Sequence, residues 1–98
     1  MKKFLIKQSE NCCLVEAPKN IVDNLEYYQR KFDYWIGNRR NKHNYWVRTF
    51  DGTYSLCFGG DAFVDWLNQQ ILREHDNRAR IVKQEHVADD SKLPILNL

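Results

Sequence analysis

Residues 45–58 read YWVRTFDGTYSLCF, and they predict a β-hairpin with two different faces. Two runs of alternating side chains flank Asp51 and Gly52. Asp-Gly is among the strongest local hairpin signals, since a two-residue type I′ turn needs positive φ at both central positions. With that turn, Phe50 pairs with Thr53 across the hairpin.

The predicted register divides the side chains between two faces, because successive residues of a strand point to opposite sides. We expect one face to join the core, and it consists of Tyr45, Val47, Leu56 and Phe58. The opposite face consists of Trp46, Arg48, Phe50, Thr53, Ser55 and Cys57. Two aromatic rings and a cation beside small polar groups are unusual on a solvated face, so we predict a contact surface there.

Two strands and a helix are predicted before this hairpin. Residues 3–8 and 12–17 read as short strands around a polar turn. Between residues 21 and 36, apolar side chains recur at spacings of four and three, which predicts an amphipathic helix. Its inner stripe consists of Ile21, Leu25, Tyr28, Phe32 and Trp35.

The residues after the hairpin predict another helix and two more strands. Gly59 and Gly60 turn the chain into a helix that runs to about residue 74, with Asp61 as its N-cap. Residues 79–87 and 93–98 read as weaker strands. The order ββαββαββ favours an α+β fold, in which an antiparallel sheet carries two helices packed on one face.

Length and composition favour one globular domain spanning residues 1–98. The chain has 98 residues, of which 43% are hydrophobic and 29% are charged, a balance typical of folded soluble proteins. Its apolar runs are much shorter than the roughly 20 residues needed to span a bilayer. We therefore predict no membrane segment and a cytoplasmic location.

Charge is distributed unevenly along the chain. Residues 1–48 carry ten lysines and arginines against five acidic residues, whereas residues 49–98 carry five against eight. Three of the cations, Arg39, Arg40 and Lys42, lie in the loop before the hairpin. Such a patch suits phosphate or an acidic protein surface, although charge clusters in loops are more often simply solvated.

The sequence carries no spacing typical of a metal or cofactor site, so we expect neither. Metal ligands usually come in paired spacings such as C-x₂-C, and the three cysteines and three histidines form none. A small ribonuclease would need an acid, a base and a cation near the phosphate. The residues that would supply these groups are His43, Tyr45, Arg39, Arg40, Lys42 and Arg48. Because most of them lie on one loop, catalysis ranks third among our hypotheses.

Two binding hypotheses rank above catalysis. A protein partner comes first, because aromatic and arginine side chains are enriched in protein interfaces. The candidates for such a surface are Tyr27, Tyr34, Trp46, Arg48, Phe50 and Trp66. Nucleic acid is the alternative, with Trp46 and Phe50 stacking on bases beside the basic loop. The net charge of only +2 weakens this alternative.

In its size, element order, lack of an enzyme motif and aromatic surface candidates, the chain resembles the small bacterial immunity proteins that neutralise secreted toxin domains. These include the immunity proteins of contact-dependent growth inhibition. The resemblance implies a non-enzymatic inhibitor that binds one toxin domain tightly. Many such toxins are basic nucleases, which an acidic surface would block. The residues available for that role are Asp51, Asp61, Asp65, Glu74 and Asp76.

Overall fold

The computed structural model describes residues 1–8, 11–38, 40, 43, 45–74, 77–84 and 92–98. In chain order, the elements are β1 (Lys2–Gln8), β2 (Asn11–Ala17), α1 (Lys19–Val22), α2 (Leu25–Gly37), β3 (Trp46–Arg48), β4 (Tyr54–Leu56), α3 (Gly60–Trp66), a π-helical turn (Leu67–Ile71), β5 (Arg80–Lys83) and β6 (Ile95–Asn97). The α+β class is confirmed, and the predicted order differs only in that the first helix is divided. The predicted strand over residues 79–87 extends beyond the described residues at its end.

Four strands form one sheet in the order β5-β2-β1-β6. β1 and β2 pair as the predicted hairpin, with Phe4 opposite Val15. β6 lies on the other side of β1 and runs parallel to it, with Leu96 opposite Ile6. The prediction of an antiparallel sheet is therefore wrong. The sheet is mixed because β6 pairs with β1 in parallel, whereas the β1-β2 and β2-β5 pairs are antiparallel. β5 and β6 occupy opposite edges and do not pair with each other.

One face of this sheet and the helices enclose the core. Alternate residues of β1 and β2 point to this face, as the pleat of a strand requires. The buried side chains of these two strands in the core are Phe4, Ile6, Cys13, Val15 and Ala17. Phe32 of α2 and Phe63 of α3 meet edge to face, with ring centroids 5.4 Å apart. The prediction that the helices pack on one face agrees with this core.

The helix predicted over residues 21–36 is interrupted between α1 and α2. Asn24 leaves the helical backbone conformation, with φ −131° and ψ 37°. Its side-chain Nδ2 donates to the carbonyl oxygen of Asn20 at 2.8 Å, a local bond of the kind that competes with helical hydrogen bonding. The inner stripe is nevertheless confirmed, because Ile21 and Phe32 are fully buried.

The helix α3 begins at Gly60, and its N-cap is Gly59. Asp61 lies in the first helical turn, so its assignment as the N-cap is wrong. After Trp66 the helix widens into the π-helical turn, where the N–H of Leu72 donates to the carbonyl oxygen of Leu67 at 2.7 Å. This second helix therefore ends at residue 71, a few residues before the predicted end.

The central hairpin forms a separate two-stranded sheet, β3-β4. Trp46 pairs with Leu56 and Arg48 pairs with Tyr54, one residue away from the predicted register. A shift of one residue moves side chains between faces. Val47, which was predicted to join the core, is consequently exposed.

The turn of the hairpin explains the shifted register. It contains three residues, 50–52, and is closed by a hydrogen bond from the N–H of Thr49 to the carbonyl oxygen of Thr53 at 2.7 Å. Gly52 has φ +86°, as in the three-residue connection that follows a type I turn with one left-handed residue. The predicted two-residue type I′ turn is therefore wrong, because the glycine ends the turn and does not occupy its centre.

The three cysteines differ in exposure. Cys12 and Cys13 are adjacent residues of β2 and point to opposite faces of the main sheet, yet both are buried. Cys57 is exposed on the hairpin side of the molecule. Across the described ranges, no helix combines the length and apolar character that crossing a membrane requires.

Candidate functional site

The β3-β4 hairpin carries a group of exposed apolar side chains at its outer end. Phe50 is 109% exposed, more than any other large hydrophobic residue in the described chain. Tyr54 is also exposed, at 60%, and lines a shallow depression of the surface together with Phe50. Grouped exposed apolar side chains indicate an interaction site, whereas single ones are ordinary. We call Arg48, Phe50 and Tyr54 the hairpin tip. Val47 is 47% exposed on the other face of the hairpin.

Arg48 adds a cation to the hairpin tip. It lies directly opposite Tyr54, so the two side chains share one face of the hairpin. A Cβ added at Gly52 would lie 4.0 Å from Nη2 of Arg48, which places the guanidinium beside the turn. Among the ion pairs of the described residues, none includes Arg48. The N–H donors of the Arg48 guanidinium therefore remain available to bind a partner beside the exposed rings of Phe50 and Tyr54.

Asp51 fixes the shape of the turn through its carboxylate. The hydroxyl groups of Thr49 and Thr53 both donate to Asp51 Oδ1, and the N–H of Thr53 donates to the same atom at 3.2 Å. These hydrogen bonds, that from Thr49 above all, lower the pKa of Asp51 to about 2. The turn is thus held by side chains as well as by its backbone, and Phe50 is presented on an ordered connection.

The base of the hairpin is attached to α2 through His43. Nε2 of His43 donates to the carbonyl oxygen of Ile36 at 3.0 Å, and the N–H of Tyr45 donates to Nδ1 at 3.2 Å. The imidazole also contacts the rings of Trp35, at a centroid distance of 4.9 Å, and of Trp46, nearly parallel at 5.9 Å. His43 therefore links the end of α2 to the first residues of the hairpin.

A second attachment joins the hairpin base to α3. The phenol of Tyr45 donates to Oδ2 of Asp65 at 3.1 Å. Burial of the phenol, together with this bond to a carboxylate, raises the pKa of Tyr45 to about 12. Phe58 follows β4 and also lies at the hairpin base, where it packs edge to face on Phe32 with ring centroids 5.6 Å apart. The base is therefore packed against the core, while the hairpin tip extends away from it.

Trp46 lies between the packed base and the exposed tip. Its side chain is partly buried, and its indole Nε1 is buried without a hydrogen-bond partner among the described residues. Its place opposite Leu56, which packs against the core, explains the partial burial. Trp46 therefore belongs mainly to the packed part of the hairpin and contributes only part of its ring to the surface.

The other predicted site residues are not gathered at the hairpin tip. Trp66 was predicted to lie at a contact surface, but it is 3% exposed and packs on Phe32 and Phe63, so this prediction is wrong. Arg40 is exposed, and its N–H donates to the side chain of Asn38. Asp65 serves the hairpin base as the acceptor for Tyr45. Three further predicted site residues, Arg39, Lys42 and Asp76, fall outside the described residues.

The residue that sequence reasoning missed is Tyr54, which the predicted register did not assign to the contact face. A signal for it was present, because Phe50, Asp51 and Gly52 also fit a three-residue connection with glycine at its last position. That alternative pairs Tyr54 with Arg48 and brings both to one face. It also takes Val47 out of the core.

Two side chains proposed as catalytic groups of a ribonuclease, His43 and Tyr45, form hydrogen bonds within the protein instead. Both ring nitrogens of His43 are engaged with backbone groups, and the phenol of Tyr45 is engaged with Asp65. A base that is already hydrogen-bonded on both nitrogens is poorly placed to accept a substrate proton. This geometry therefore gives the ribonuclease hypothesis no support.

A cleft of about 280 Å³ lies beside the start of α3. Its polar lining comes from Gln8, Asn11, Asp61 and Gln84, and Cys12 and Cys13 also line it. Burial raises the pKa of the Cys13 thiol, which disfavours the reactive thiolate. In the described chain, no group of three or more potential ligands is placed to hold a metal ion.

A second exposed aromatic pair lies on α2, away from the core stripe. Tyr34 is 76% exposed, and Tyr27, two turns earlier, is exposed beside Lys31, whose Nζ lies 5.0 Å from the ring centroid. Arg30 and Glu26 form an ion pair on the same helix, 2.7 Å apart. The exposure of Tyr27 and Tyr34 agrees with their selection as candidates for a contact surface.

The fold and the hairpin define an α+β domain that carries an exposed aromatic and cationic tip on a separate two-stranded sheet. Comparisons with protein-family models, with curated proteins and with solved structures found no match for this chain.

Proposed function

We propose that this protein is a non-enzymatic inhibitor that binds another protein through its hairpin tip. The observation that carries the proposal is the full exposure of Phe50 at the start of the ordered hairpin turn, near Arg48 and Tyr54. Tyrosine and arginine are the residue types that most often dominate binding energy in protein interfaces, and a protruding ring fills a pocket on a partner.

The attachment of the hairpin supports the proposal. An interface binds more tightly when its elements are already ordered, because less conformational entropy is lost on association. The Asp51 hydrogen bonds order the turn, and His43 and Tyr45 fix the base to α2 and α3. The hairpin tip is therefore a protruding element on a supported base.

The partner that we propose is a bacterial toxin domain, which would make the protein an immunity protein. This step rests on the resemblance of the chain to small single-domain immunity proteins and on the protruding site. An immunity protein must recognise one toxin and neutralise it by binding alone. Its hairpin tip would then enter a recess on the toxin surface.

Affinity capture with matched variants tests this proposal. The tagged wild-type protein, Phe50→Ala and Tyr34→Ala are each used to capture proteins from nuclease-treated lysate of the native host, followed by quantitative mass spectrometry. Both substitutions remove one exposed ring, but only Phe50 belongs to the hairpin tip. We expect one stoichiometric protein with the wild type and Tyr34→Ala, and a loss of at least about tenfold with Phe50→Ala.

Co-expression then tests inhibition. The captured protein, or its carboxy-terminal domain, is expressed in a naive host with each variant. We expect arrested growth that the wild type and Tyr34→Ala relieve and that Phe50→Ala does not. Equal capture and equal relief by all three would contradict the proposed surface, and capture of a protein with no effect on growth would contradict the immunity role.

Nucleic-acid binding is the second candidate, because the same exposed ring and arginine also suit base stacking and phosphate contact. It predicts that all captured partners disappear on nuclease treatment. It also predicts that the affinity for a single-stranded oligonucleotide falls steeply with added salt and that Arg48→Gln reduces this slope. A salt-independent protein complex would contradict this candidate.

A further inference from the structure

We infer that the outer edge of β4 binds an extended segment of the partner protein, which adds as a third strand to the β3-β4 hairpin. This inference rests on the proposed function and specifies which kind of partner structure the hairpin takes. It follows from the hydrogen-bonding pattern of the hairpin and from the absence of charge along β4.

The hydrogen-bonding pattern leaves β4 with free backbone groups. Residues opposite each other in an antiparallel pair alternate between bonded and non-bonded pairs. Thr49 and Thr53 are bonded, and so are Tyr45 and Cys57, whose N–H donates to the Tyr45 carbonyl oxygen at 2.9 Å. The pairs in which the residue of β4 is Tyr54 or Leu56 are therefore non-bonded.

Tyr54 and Leu56 consequently direct their backbone N–H and C=O groups away from β3. No other strand of the described structure pairs with this sheet, which has only two strands. The outer edge of β4 thus presents alternating donors and acceptors at the spacing that a third strand needs. A hairpin of two strands is only marginally stable by itself, so a third strand also completes the sheet.

The side chains distinguish the two edges of the hairpin. Natural proteins protect exposed edges with charged residues, and β3 carries Arg48. β4 contains only tyrosine, serine and leucine, and the residues around it, Thr53 and Cys57, are also uncharged. The edge of β4 is therefore the unprotected one, with residues of high or moderate strand propensity.

The side chains of β4 also indicate which side chains the added strand should carry. Tyr54 is exposed and Leu56 is partly buried on the same face of β4. A residue that is paired with either of them lies close enough for side-chain contact. We therefore expect the partner segment to carry aromatic or β-branched side chains at alternate positions, with small or polar residues between them.

Backbone methylation tests the inference without changing a side chain. The protein is assembled by chemical ligation at its native cysteines, with N-methyl-Tyr54 to block the outer edge of β4. The control is N-methyl-Ile95 on the outer edge of the main sheet. Leu5 lies opposite Ile95 but donates to the carbonyl oxygen of Pro94, so the Ile95 N–H points away from β1. The probe is a displayed library of random linear twelve-residue peptides, selected on the unmethylated protein and then synthesised for affinity measurement.

We expect selected peptides with alternating apolar residues, whose affinity falls at least about tenfold with N-methyl-Tyr54 and stays within about twofold with N-methyl-Ile95. We also expect slower amide exchange at Tyr54 and Leu56 when the peptide is bound. N-methyl-Leu56 is the second edge variant if N-methyl-Tyr54 does not fold. Failure to select any peptide, or equal affinity for all methylated proteins, would overturn the inference.

The same variants separate this inference from the proposed function. If Phe50→Ala loses the captured partner while N-methyl-Tyr54 retains it, the hairpin tip binds the partner but strand addition is wrong. If both changes leave the captured partner bound, the hairpin is not the binding site and both ideas are wrong. Loss of the partner with both Phe50→Ala and N-methyl-Tyr54, but not with N-methyl-Ile95, supports both.

Discussion

The side chain of Asn68 holds the backbone of Ala79 at both of its polar atoms. Nδ2 of Asn68 donates to the carbonyl oxygen of Ala79 at 2.9 Å, and Oδ1 accepts from the Ala79 N–H at 2.9 Å. Asn68 lies in the π-helical turn, and Ala79 immediately precedes β5. The π-helical turn thus places the Asn68 amide against the segment that leads into β5, a strand at the edge of the sheet.

We predict that Asn68→Ala destabilises the protein. It removes two hydrogen bonds and leaves a partly buried N–H and C=O unpaired, which costs about 1–3 kcal/mol. Urea unfolding followed by tryptophan fluorescence measures the loss. Gln70→Ala is the control, because Gln70 is exposed in the same turn. A loss no greater than that of the control would contradict the structural role of Asn68.

Gly60→Ala is predicted to destabilise the start of α3. An added Cβ would lie 2.9 Å from Sγ of Cys13, closer than Cβ contacts normally come, and 3.3 Å from Cγ2 of Ile6, which is a tight contact. Overpacking of this kind costs about 1–3 kcal/mol. Thermal and urea unfolding measure it, with Gly37→Ala as control because no atom lies within 4 Å of its added Cβ. The double variant Gly60→Ala with Cys13→Ala should recover part of the loss.

The Asp51 turn is predicted to weaken only in strong acid. The folded-state pKa of Asp51 is lowered from an ordinary value of 3.8 to about 2, chiefly by the Thr49 hydroxyl. A lowered pKa means that the carboxylate stabilises the folded state above pH 3.8 and that this contribution is lost as the pH falls through about 2. Carbon NMR of the side-chain carboxyl should show a midpoint near 2.

Thr49→Val checks the cause of that shift. It keeps the shape of the side chain but removes the hydroxyl that donates to Asp51. The midpoint of the Asp51 titration should therefore rise toward its ordinary value. A midpoint that does not change would show that Thr49 has no part in lowering the pKa.

His43 is predicted to control how firmly the hairpin is attached. His43→Ala removes two backbone hydrogen bonds and several ring contacts, so amide exchange in β3 and β4 should accelerate by at least about tenfold relative to β1. His43→Phe keeps ring contacts and should have a smaller effect. Hydrogen exchange followed by NMR measures both. Uniform acceleration across the whole chain would instead indicate global destabilisation.

Much of the fold could be predicted from local patterns in the sequence. The inner stripe of the first helix follows from the spacing of Ile21 and Phe32, and the first hairpin follows from alternation in β1 and β2. These patterns depend only on the geometry of single elements. They also predict which side chains of the first helix face the core.

Pairing between distant strands could not be predicted in the same way. Nothing local in residues 95–97 specifies that β6 pairs with β1 in parallel, because that choice depends on where the preceding chain delivers it. The hairpin register was decided by whether Gly52 occupies the second or the third position of the turn, and Asp-Gly suits both. Trp66 was misplaced because its burial depends also on Phe32, which belongs to another helix.

The separation of the hairpin tip from the core has a consequence for how the protein can change through evolution. Phe50 and Tyr54 contribute little buried surface, so their replacement has little effect on folding, whereas replacement of Phe32 or Phe63 disturbs the centre of the core. Selection for a new partner and selection for stability therefore act on different residues. A protein built in this way can acquire new specificity in single steps while each intermediate remains folded.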